Sequence, residues 1–327
     1  MSYFLFLLRG LTLALVCFLA VNGVATLLVF SIAGRVARQE RVRTPRFWFS
    51  LRLLPAAASI GLVAAVFLPS YWTYEPRAYA EGFDVTLVAA ALVAFVVGVS
   101  AIARGVAAWA RAAKRARAWV QIAHPLTLAG TTMRAFEIDA DAPIVALVGV
   151  LRPRLFLTRR VVRALTGEEL AASVAHELGH WRALDNLKRL AMRAAPDFLA
   201  MTSVASDLER RWASASEQVA DRDACERVSV ADRGRARCAL ASAIVKVARM
   251  TPQAARTAEP ISTLVGGGDI ASRVRSLLDD GTPAVARPRS WRRWAGVALA
   301  AAAVAFGYAP LLWFVHLATE ILLQTVP

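Results

Sequence analysis

Long uncharged stretches dominate the pattern of hydrophobic and polar positions along this chain. There are four, and each is close to the length of about 20 residues that a helix needs to cross a bilayer. They cover residues 10–34, 53–74, 85–103 and 295–319. The first is too long for the core of a signal peptide, and no A-x-A cleavage motif follows it. The pattern therefore predicts three membrane-spanning helices within residues 1–103 and a fourth within residues 294–327.

Composition favours a membrane protein and excludes several other classes. Of the 327 residues, 57% are hydrophobic and 19% are charged, and the mean hydropathy is +0.47. Soluble domains are usually about 45–50% apolar and about 25% charged, so these values exclude a soluble cytosolic protein and a disordered chain. With three cysteines the chain is not a secreted disulfide scaffold, and we expect reduced, unpaired thiols.

The net charge of +15 is concentrated beside the hydrophobic stretches. Arginine and lysine cluster at 35–46, 104–117 and 287–293, whereas the connection 71–84 is acidic and aromatic. Because basic loops stay on the cytoplasmic side, the pattern predicts that both termini lie outside and residues 104–293 inside. We expect a multi-pass protein of the bacterial plasma membrane whose basic segments contact lipid headgroups and bind no nucleic acid directly.

Between the third and fourth stretches the pattern changes to that of a soluble α+β domain. Short β-rich runs predict strands at 131–138, 143–148 and 154–158. A helix is predicted from Gly167 to about Ala195, because Thr166 and Glu169 form a capping box and Pro196 ends the helical pattern. Further helices are predicted at about 206–228, 234–250 and 270–278.

An HExxH motif lies on the capped helix, at residues 176–180. The spacing of four places His176 and His180 on one helix face, where both imidazoles can bind the same zinc ion. Glu177 lies about 100° around the helix and is predicted to be the general base that accepts a proton from water. The metzincin continuation requires Gly and His at positions that hold Ala183 and Asn186 here, so that class is excluded.

No further histidine is near in the sequence, so a carboxylate has to complete the zinc site. Glu217 and Asp221 share one face of the next predicted helix. Glu217 is therefore the predicted third ligand, and Asp221 is predicted to orient a ligand imidazole through its other ring nitrogen. Glu209 and Glu226 are rival ligands; Glu209 stands beside Arg210 and Arg211 and is more typical of a solvated ion pair.

Taken together, these motifs resemble the BlaR/MecR-type membrane metallopeptidases, which are antirepressors. The resemblance lies in the LxGxLRPRLFL run at 147–157, in Glu168-Glu169-Leu170, in HELGH followed by Asp185, in Glu217-x-x-x-Asp221, and in GGDI with RVxxLL at 267–278. The Glu217-x-x-x-Asp221 pair is also similar to the HtpX/Ste-type membrane gluzincins. The resemblance extends over roughly residues 1–320, since that family places its peptidase domain between the third and fourth spans.

The resemblance implies an α-helical membrane protein with four transmembrane helices and an inserted gluzincin-type α+β zinc metallopeptidase domain, at about residues 104–293. It further implies Zn2+ as cofactor and a cytosolic winged-helix repressor as protein substrate. The sensor-transducers of this family carry an extracellular penicillin-binding domain after the fourth span. The chain ends at Pro327, so we expect no beta-lactam sensing by this chain.

Two further predictions concern the substrate. All five tyrosines lie in or beside the spans, so arginine is the remaining residue type for stabilising an oxyanion, and Arg273 is the candidate; it could instead bind only a helix terminus or lipid headgroups. Ile144, Val145 and Ala146 follow Pro143, and proline is tolerated at the start of an edge strand that could bind an extended peptide. An ordinary interior strand is the alternative.

Three functions fit these observations. The first is a regulatory metalloendopeptidase that cleaves a transcriptional repressor, the second is quality control of membrane proteins, and the third is a non-catalytic zinc-binding receptor. Glu177 argues against the third, because a structural zinc site has no use for a general base. The order of spans and domain favours the first. Little of the chain faces outside, so we expect the trigger to come from a sensor partner or a homo-oligomer.

Overall fold

The computed structural model describes residues 3–39, 43–76, 84–128, 131, 133–228, 233–250, 270–279 and 308–321. Most of these residues are helical. The helices at the N-terminal end form a bundle, and a four-stranded sheet packs with several of the later helices.

Three helices of the N-terminal bundle are long and apolar enough to cross a membrane. The first is α1 (Tyr3–Ala37) and the third is α4 (Val85–Gln121). The second is a continuous helix made of α2 (Pro45–Leu62), a π-helical turn (Val63–Phe67) and α3 (Leu68–Tyr74). Each extends beyond the uncharged stretch that predicted it, because the flanking basic residues are helical as well. The described residues therefore include three candidate membrane-spanning helices, with α4 continuing directly into the following domain.

The predicted fourth span falls mainly outside the described residues. Its described part is a helix, α11, at residues 308–321. Tyr308 donates a hydrogen bond to the carbonyl of Ala65, and Ser70 donates one to the carbonyl of Leu312. Because these contacts advance in the same direction along both segments, α11 runs parallel to α3. This is the direction that a fourth span leaving the cytoplasm requires, and the span itself stays a prediction.

The sheet has the strand order β1-β2-β4-β3. Its strands are β1 (Ala123–Leu126), β2 (Ala135–Ile138), β3 (Val145–Val148) and β4 (Arg154–Thr158). β2 and β4 pair in parallel, and the other two pairs are antiparallel. The last three strands lie within the predicted runs, whereas β1 had no prediction. The order leaves β3 at one edge of the described sheet.

Two helices follow the sheet, the short α5 (Arg159–Ala164) and then α6 (Gly167–Arg182). The capping box that opens α6 is confirmed, since the side chain of Thr166 accepts from the Glu169 amide and that of Glu169 from the Thr166 amide. The Glu169 carboxylate also accepts hydrogen bonds from Ser242 at 2.6 Å and Lys246 at 2.7 Å. These contacts attach the start of α6 to a later helix, α9 (Arg233–Met250).

The prediction of one helix from Gly167 to Ala195 is wrong. Leu184 adopts a left-handed conformation with φ 57°, and a separate helix, α7 (Asp185–Arg193), begins after it. Such a conformation costs on the order of 1–3 kcal/mol for a residue other than glycine, so the surrounding contacts must stabilise it. No glycine or proline marks the break, which explains why the sequence pattern did not reveal it.

The remaining helices agree with their predicted positions to within three residues. They are α8 (Ser203–Val228), α9 and α10 (Ile270–Leu278), and a 3-10 turn (Phe198–Met201) precedes α8. One apolar core joins the sheet, α6, α9 and α10. A second apolar cluster joins α1 and α2 to α7, the 3-10 turn and α8, with Trp212 and Leu199 fully buried in it.

Candidate metal centre

The two histidines of the HExxH motif face α8 from α6. Their Nε2 atoms are 3.2 Å apart, and both side chains are buried. The two helices approach closely at Gly179, where an added Cβ would lie 3.4 Å from the Cα of Ala220. This contact places Glu217 of α8 opposite the histidines, and each of its two carboxylate oxygens lies 3.4 Å from one of the Nε2 atoms.

The spacing of these three side chains is close to that of ligands around a zinc ion, with a different carboxylate oxygen of Glu217 near each histidine. Ligand atoms at bond lengths of about 2.0–2.1 Å and tetrahedral angles are separated by about 3.3 Å. The observed separations are 3.2, 3.4 and 3.4 Å. Neither carboxylate oxygen of Glu217 has an aligned hydrogen bond among the described residues, although both are buried. His176, His180 and Glu217 therefore form a group that could hold a metal ion.

A carboxylate lies beside the other ring nitrogen of each histidine. The Nδ1 atom of His176 is 2.9 Å from Oδ1 of Asp221, within ion-pair distance although out of line for a hydrogen bond. The Nδ1 atom of His180 is 2.8 Å from Oδ2 of Asp185, which also accepts a hydrogen bond from Ser216. Contacts of this kind direct Nε2 towards the metal position and increase the basicity of the ligand.

Asp185 had no predicted role. It is buried at the first position of α7, and it reaches His180 because α6 ends at Arg182 and the chain turns at Leu184. The only signal in the sequence was an acidic residue five positions after the second histidine of the motif. That signal becomes specific only once the break between the two helices is known.

The site contains more negative than positive side chains. Four buried carboxylates, those of Glu177, Glu217, Asp185 and Asp221, are accompanied by buried Arg273 and partly exposed Lys188. Burial alone would lower the pKa of His180, but contacts with Asp185 and Glu217 outweigh it and raise the pKa to about 10. A divalent cation would balance the same excess of negative charge, so the electrostatics agree with the ligand spacing.

Glu177 contacts the edge strand of the sheet. Its Oε2 atom accepts a hydrogen bond from the Leu147 amide of β3 at 3.2 Å. Its Oε1 atom is buried and has no hydrogen-bond partner in the part of the chain that the structure describes. Burial raises the pKa of Glu177 to about 7. A carboxylate fixed by one oxygen, with the other available and a pKa near neutrality, has the properties of a general base.

The edge of β3 that does not pair with β4 is buried and faces this carboxylate. Ile144 exchanges hydrogen bonds with Thr158 and therefore faces β4. Leu147 faces the opposite way, since its amide donates to Glu177 and its carbonyl accepts from Asn186 at 3.1 Å. Backbone groups two residues apart in a strand point to the same side, so Val145 faces the edge and Ala146 faces β4. Of the three residues predicted to bind substrate, only Val145 presents its backbone groups to this edge.

Arg273 of α10 contacts Glu217 and Asp221 of α8. It donates to Asp221 from Nε at 2.9 Å and from Nη2 at 2.6 Å, and its Nη1 lies 3.0 Å from Oε2 of Glu217. Burial opposes ionisation of Glu217, but contacts with both histidines and the charge of Arg273 keep the pKa of Glu217 well below its ordinary value. These contacts favour the anionic form of Glu217, which is the form that binding of a metal would require.

The two rival ligands lie away from the histidines. Glu226 is exposed near the end of α8. Glu209 was predicted to be a solvated partner of Arg210 or Arg211, and the structure corrects this: its carboxylate accepts from the fully buried Arg52 of α2 at 3.1 Å. The physical reason is that α8 packs along α2, which turns Glu209 towards the membrane helices.

The sequence profile of peptidase family M48 matches residues 109–250. The matched segment begins within α4 and includes β3, the HExxH helix, Glu217 and Asp221. Arg273 lies beyond it. No curated protein matches the chain. Residues 109–250 therefore match a peptidase M48 family domain, and this family implies a metallopeptidase. The apolar helices that precede this domain indicate a membrane metalloprotease.

Proposed function

We propose that the chain is an integral-membrane zinc metalloendopeptidase with a gluzincin-type active site on the cytoplasmic side of the membrane. The observation that carries the proposal is the position of Glu177. Its free carboxylate oxygen is buried beside a group of two histidines and one glutamate that could hold a metal. A structural zinc site is closed by four protein ligands and needs no base, so this arrangement disfavours a non-catalytic receptor.

The chemistry follows from the residues around the site. Zinc held by His176, His180 and Glu217 would supply Lewis acidity to a peptide carbonyl. Glu177 accepts the proton of the attacking water and delivers it to the leaving amide nitrogen, as a group with a pKa near neutrality can do in both directions. Its hydrogen bond to Leu147 keeps the carboxylate oriented during both transfers.

An extended substrate fits the edge of β3. The backbone amide and carbonyl of Val145 face this edge, where a peptide can add as a further strand. The histidines and Glu177 are buried, so the site has to open before any substrate reaches them, and an extended segment needs a smaller opening than a folded domain. We infer that the enzyme cleaves an unstructured or locally unfolded segment of its protein substrate.

Two roles are open to Arg273, and its contacts favour one. Stabilising an oxyanion would require it to release at least one of the carboxylates that it binds. Holding Glu217 and Asp221 in place requires no movement, and bidentate contact with a carboxylate is the geometry for which arginine is suited. We therefore propose that Arg273 positions the ligand carboxylate rather than contacting the substrate.

Regulatory cleavage of a cytosolic winged-helix repressor is our proposal for the substrate. Its support is the predicted order of spans, with the peptidase domain between the third and the fourth, as in the antirepressors. The match to family M48 is compatible with quality control of membrane proteins as well. In this proposal the activating signal comes from a sensor partner or a second copy of the chain.

The substrate proposal is tested with the purified chain in lipid nanodiscs. We expect a winged-helix repressor encoded beside its gene to be cut at a single site, with an unfolded membrane protein left largely intact. Glu177→Gln serves as the inactive control. Mass spectrometry of the products distinguishes the outcomes, since degradation of the unfolded protein at many sites with an intact repressor would establish quality control instead.

The orientation is tested with reporter fusions. A phosphatase that is active only outside the cytoplasm should be silent after Val120 and active after Pro327, because the basic segments retain the peptidase domain inside. A reporter that is active only in the cytoplasm should give the opposite pattern at the same two positions. Phosphatase activity after Val120 together with silence after Pro327 would refute the orientation.

A further inference from the structure

The segment that joins α7 to the 3-10 turn lies against three helices of the membrane bundle. This segment, residues 192–198, is called the connector below. Asn22 of α1 donates to the Pro196 carbonyl at 3.0 Å and accepts from the Phe198 amide at 3.1 Å. Arg104 of α4 donates to the carbonyls of Arg193 and Ala195. The membrane helices thus satisfy backbone groups that the end of α7 leaves without helical partners.

Arg52 of α2 makes the most extensive of these contacts. It donates to the Met192 carbonyl at 2.8 Å, to Oδ2 of Asp197 at 2.9 Å and to Oε1 of Glu209 at 3.1 Å. Only 1% of its surface is exposed. One guanidinium therefore binds the C-terminal end of α7, the connector and α8 together. Its positive charge also complements the dipole at the C-terminal end of α7.

A buried guanidinium constrains its neighbours more strictly than apolar packing does. The N–H groups of a planar guanidinium form hydrogen bonds only in certain directions. Loss of a partner leaves a charge unpaired in an environment of low polarity. Ionisable residues within candidate membrane spans are costly, and they are a sign of a functional role. The surrounding apolar cluster of α1, α2, α7 and α8 supplies attraction, while Arg52 fixes the register between these helices.

Both helices that Arg52 binds carry parts of the metal centre. α7 begins with Asp185, which contacts the ligand His180. On α8, Glu217 lies eight residues after Glu209 along the same helix, about 12 Å away. Because both helices are continuous, displacing them at Arg52 displaces Asp185 and Glu217 relative to the histidines of α6.

We propose that Arg52 is a positioning residue for the metal centre: from a membrane helix it fixes α7 and α8 so that Asp185 and Glu217 meet the two imidazoles. The proposal rests on the proposed function, in that the centre binds zinc. It gives the membrane bundle a direct route to the zinc ligands, since the guanidinium of Arg52 contacts both helices at one point.

The test measures zinc affinity in the full chain in nanodiscs, by competition with a chelator. We expect Arg52→Gln to weaken Zn2+ binding about 10- to 100-fold, the range found when groups that orient metal ligands are removed. Arg52→Lys should lie between Arg52→Gln and the wild type, because it keeps the charge but cannot reach all three partners. With Co2+ in place of zinc, the visible absorption spectrum should differ from that of the wild type more in Arg52→Gln than in Arg52→Lys. If Arg52→Gln does not fold, the triple variant Arg52→Met, Asp197→Asn, Glu209→Gln replaces it, because it leaves no unpaired charge.

Two control variants separate positioning from general stability. Leu51→Ala removes apolar packing beside Arg52 and should lower the melting temperature without changing zinc affinity. Arg46→Met removes an exposed charge from the same helix and should change neither. Wild-type zinc affinity in the folded Arg52 variants, or equal weakening by Leu51→Ala, would overturn the proposal. A wild-type chain that binds no zinc would instead reject the proposed function.

Discussion

Glu177→Gln is expected to lower kcat by about 10²- to 10⁴-fold, the contribution of a positioned general base, and to leave bound zinc unchanged. Glutamine has the same shape, and its carbonyl oxygen can still accept the hydrogen bond from the Leu147 amide. It cannot accept the proton of the attacking water. Since Glu177 is separate from the three candidate ligands, the metal should stay bound. Peptide hydrolysis and zinc content are measured on the same purified sample.

The matched control for this variant is Glu168→Gln on the same helix. Glu168 is exposed and pairs with Arg235, so its neutralisation should leave both hydrolysis and zinc content as in the wild type. Retention of substantial hydrolysis by Glu177→Gln would show that another group accepts the proton. Loss of zinc from this variant would show that Glu177 contributes to binding the metal.

Glu217→Ala is expected to weaken zinc binding by more than about 100-fold, beyond the effect of losing a group that only orients a ligand. The variant removes one of three candidate ligands and also leaves the charge of Arg273 without one of its carboxylates. His176→Ala and His180→Ala should behave in the same way, since each removes one nitrogen donor. Zinc content after dialysis against a weak chelator measures the loss.

Two further variants on α8 make this result specific. Glu226→Ala removes an exposed carboxylate of the same helix and should retain full zinc content. Asp221→Asn keeps the shape of the group beside His176 and should weaken zinc binding less than Glu217→Ala does. Full zinc occupancy in Glu217→Ala would exclude this residue as the third ligand. Equal losses in Glu217→Ala and Asp221→Asn would indicate that both carboxylates bind the metal.

The sequence by itself determined the features that depend on neighbouring residues. The three long apolar helices follow from uninterrupted hydrophobic stretches, and the start of α6 follows from the capping box at Thr166 and Glu169. The common face of His176 and His180 follows from helical periodicity alone. These properties are set within one or two helical turns or by the length of one segment, so they can be recognised before any tertiary contact is known.

Only the tertiary structure decided which distant groups meet at the site. Arg273 binds Asp221 across 52 positions, and Arg52 binds Asp197 across 145. The break at Leu184, which brings Asp185 to His180, has no signal in the local sequence. The edge position of β3, which gives Glu177 its hydrogen bond, depends on the strand order. The physical reason is that a buried charge is stable only beside a partner, and packing of distant segments determines which partner is available.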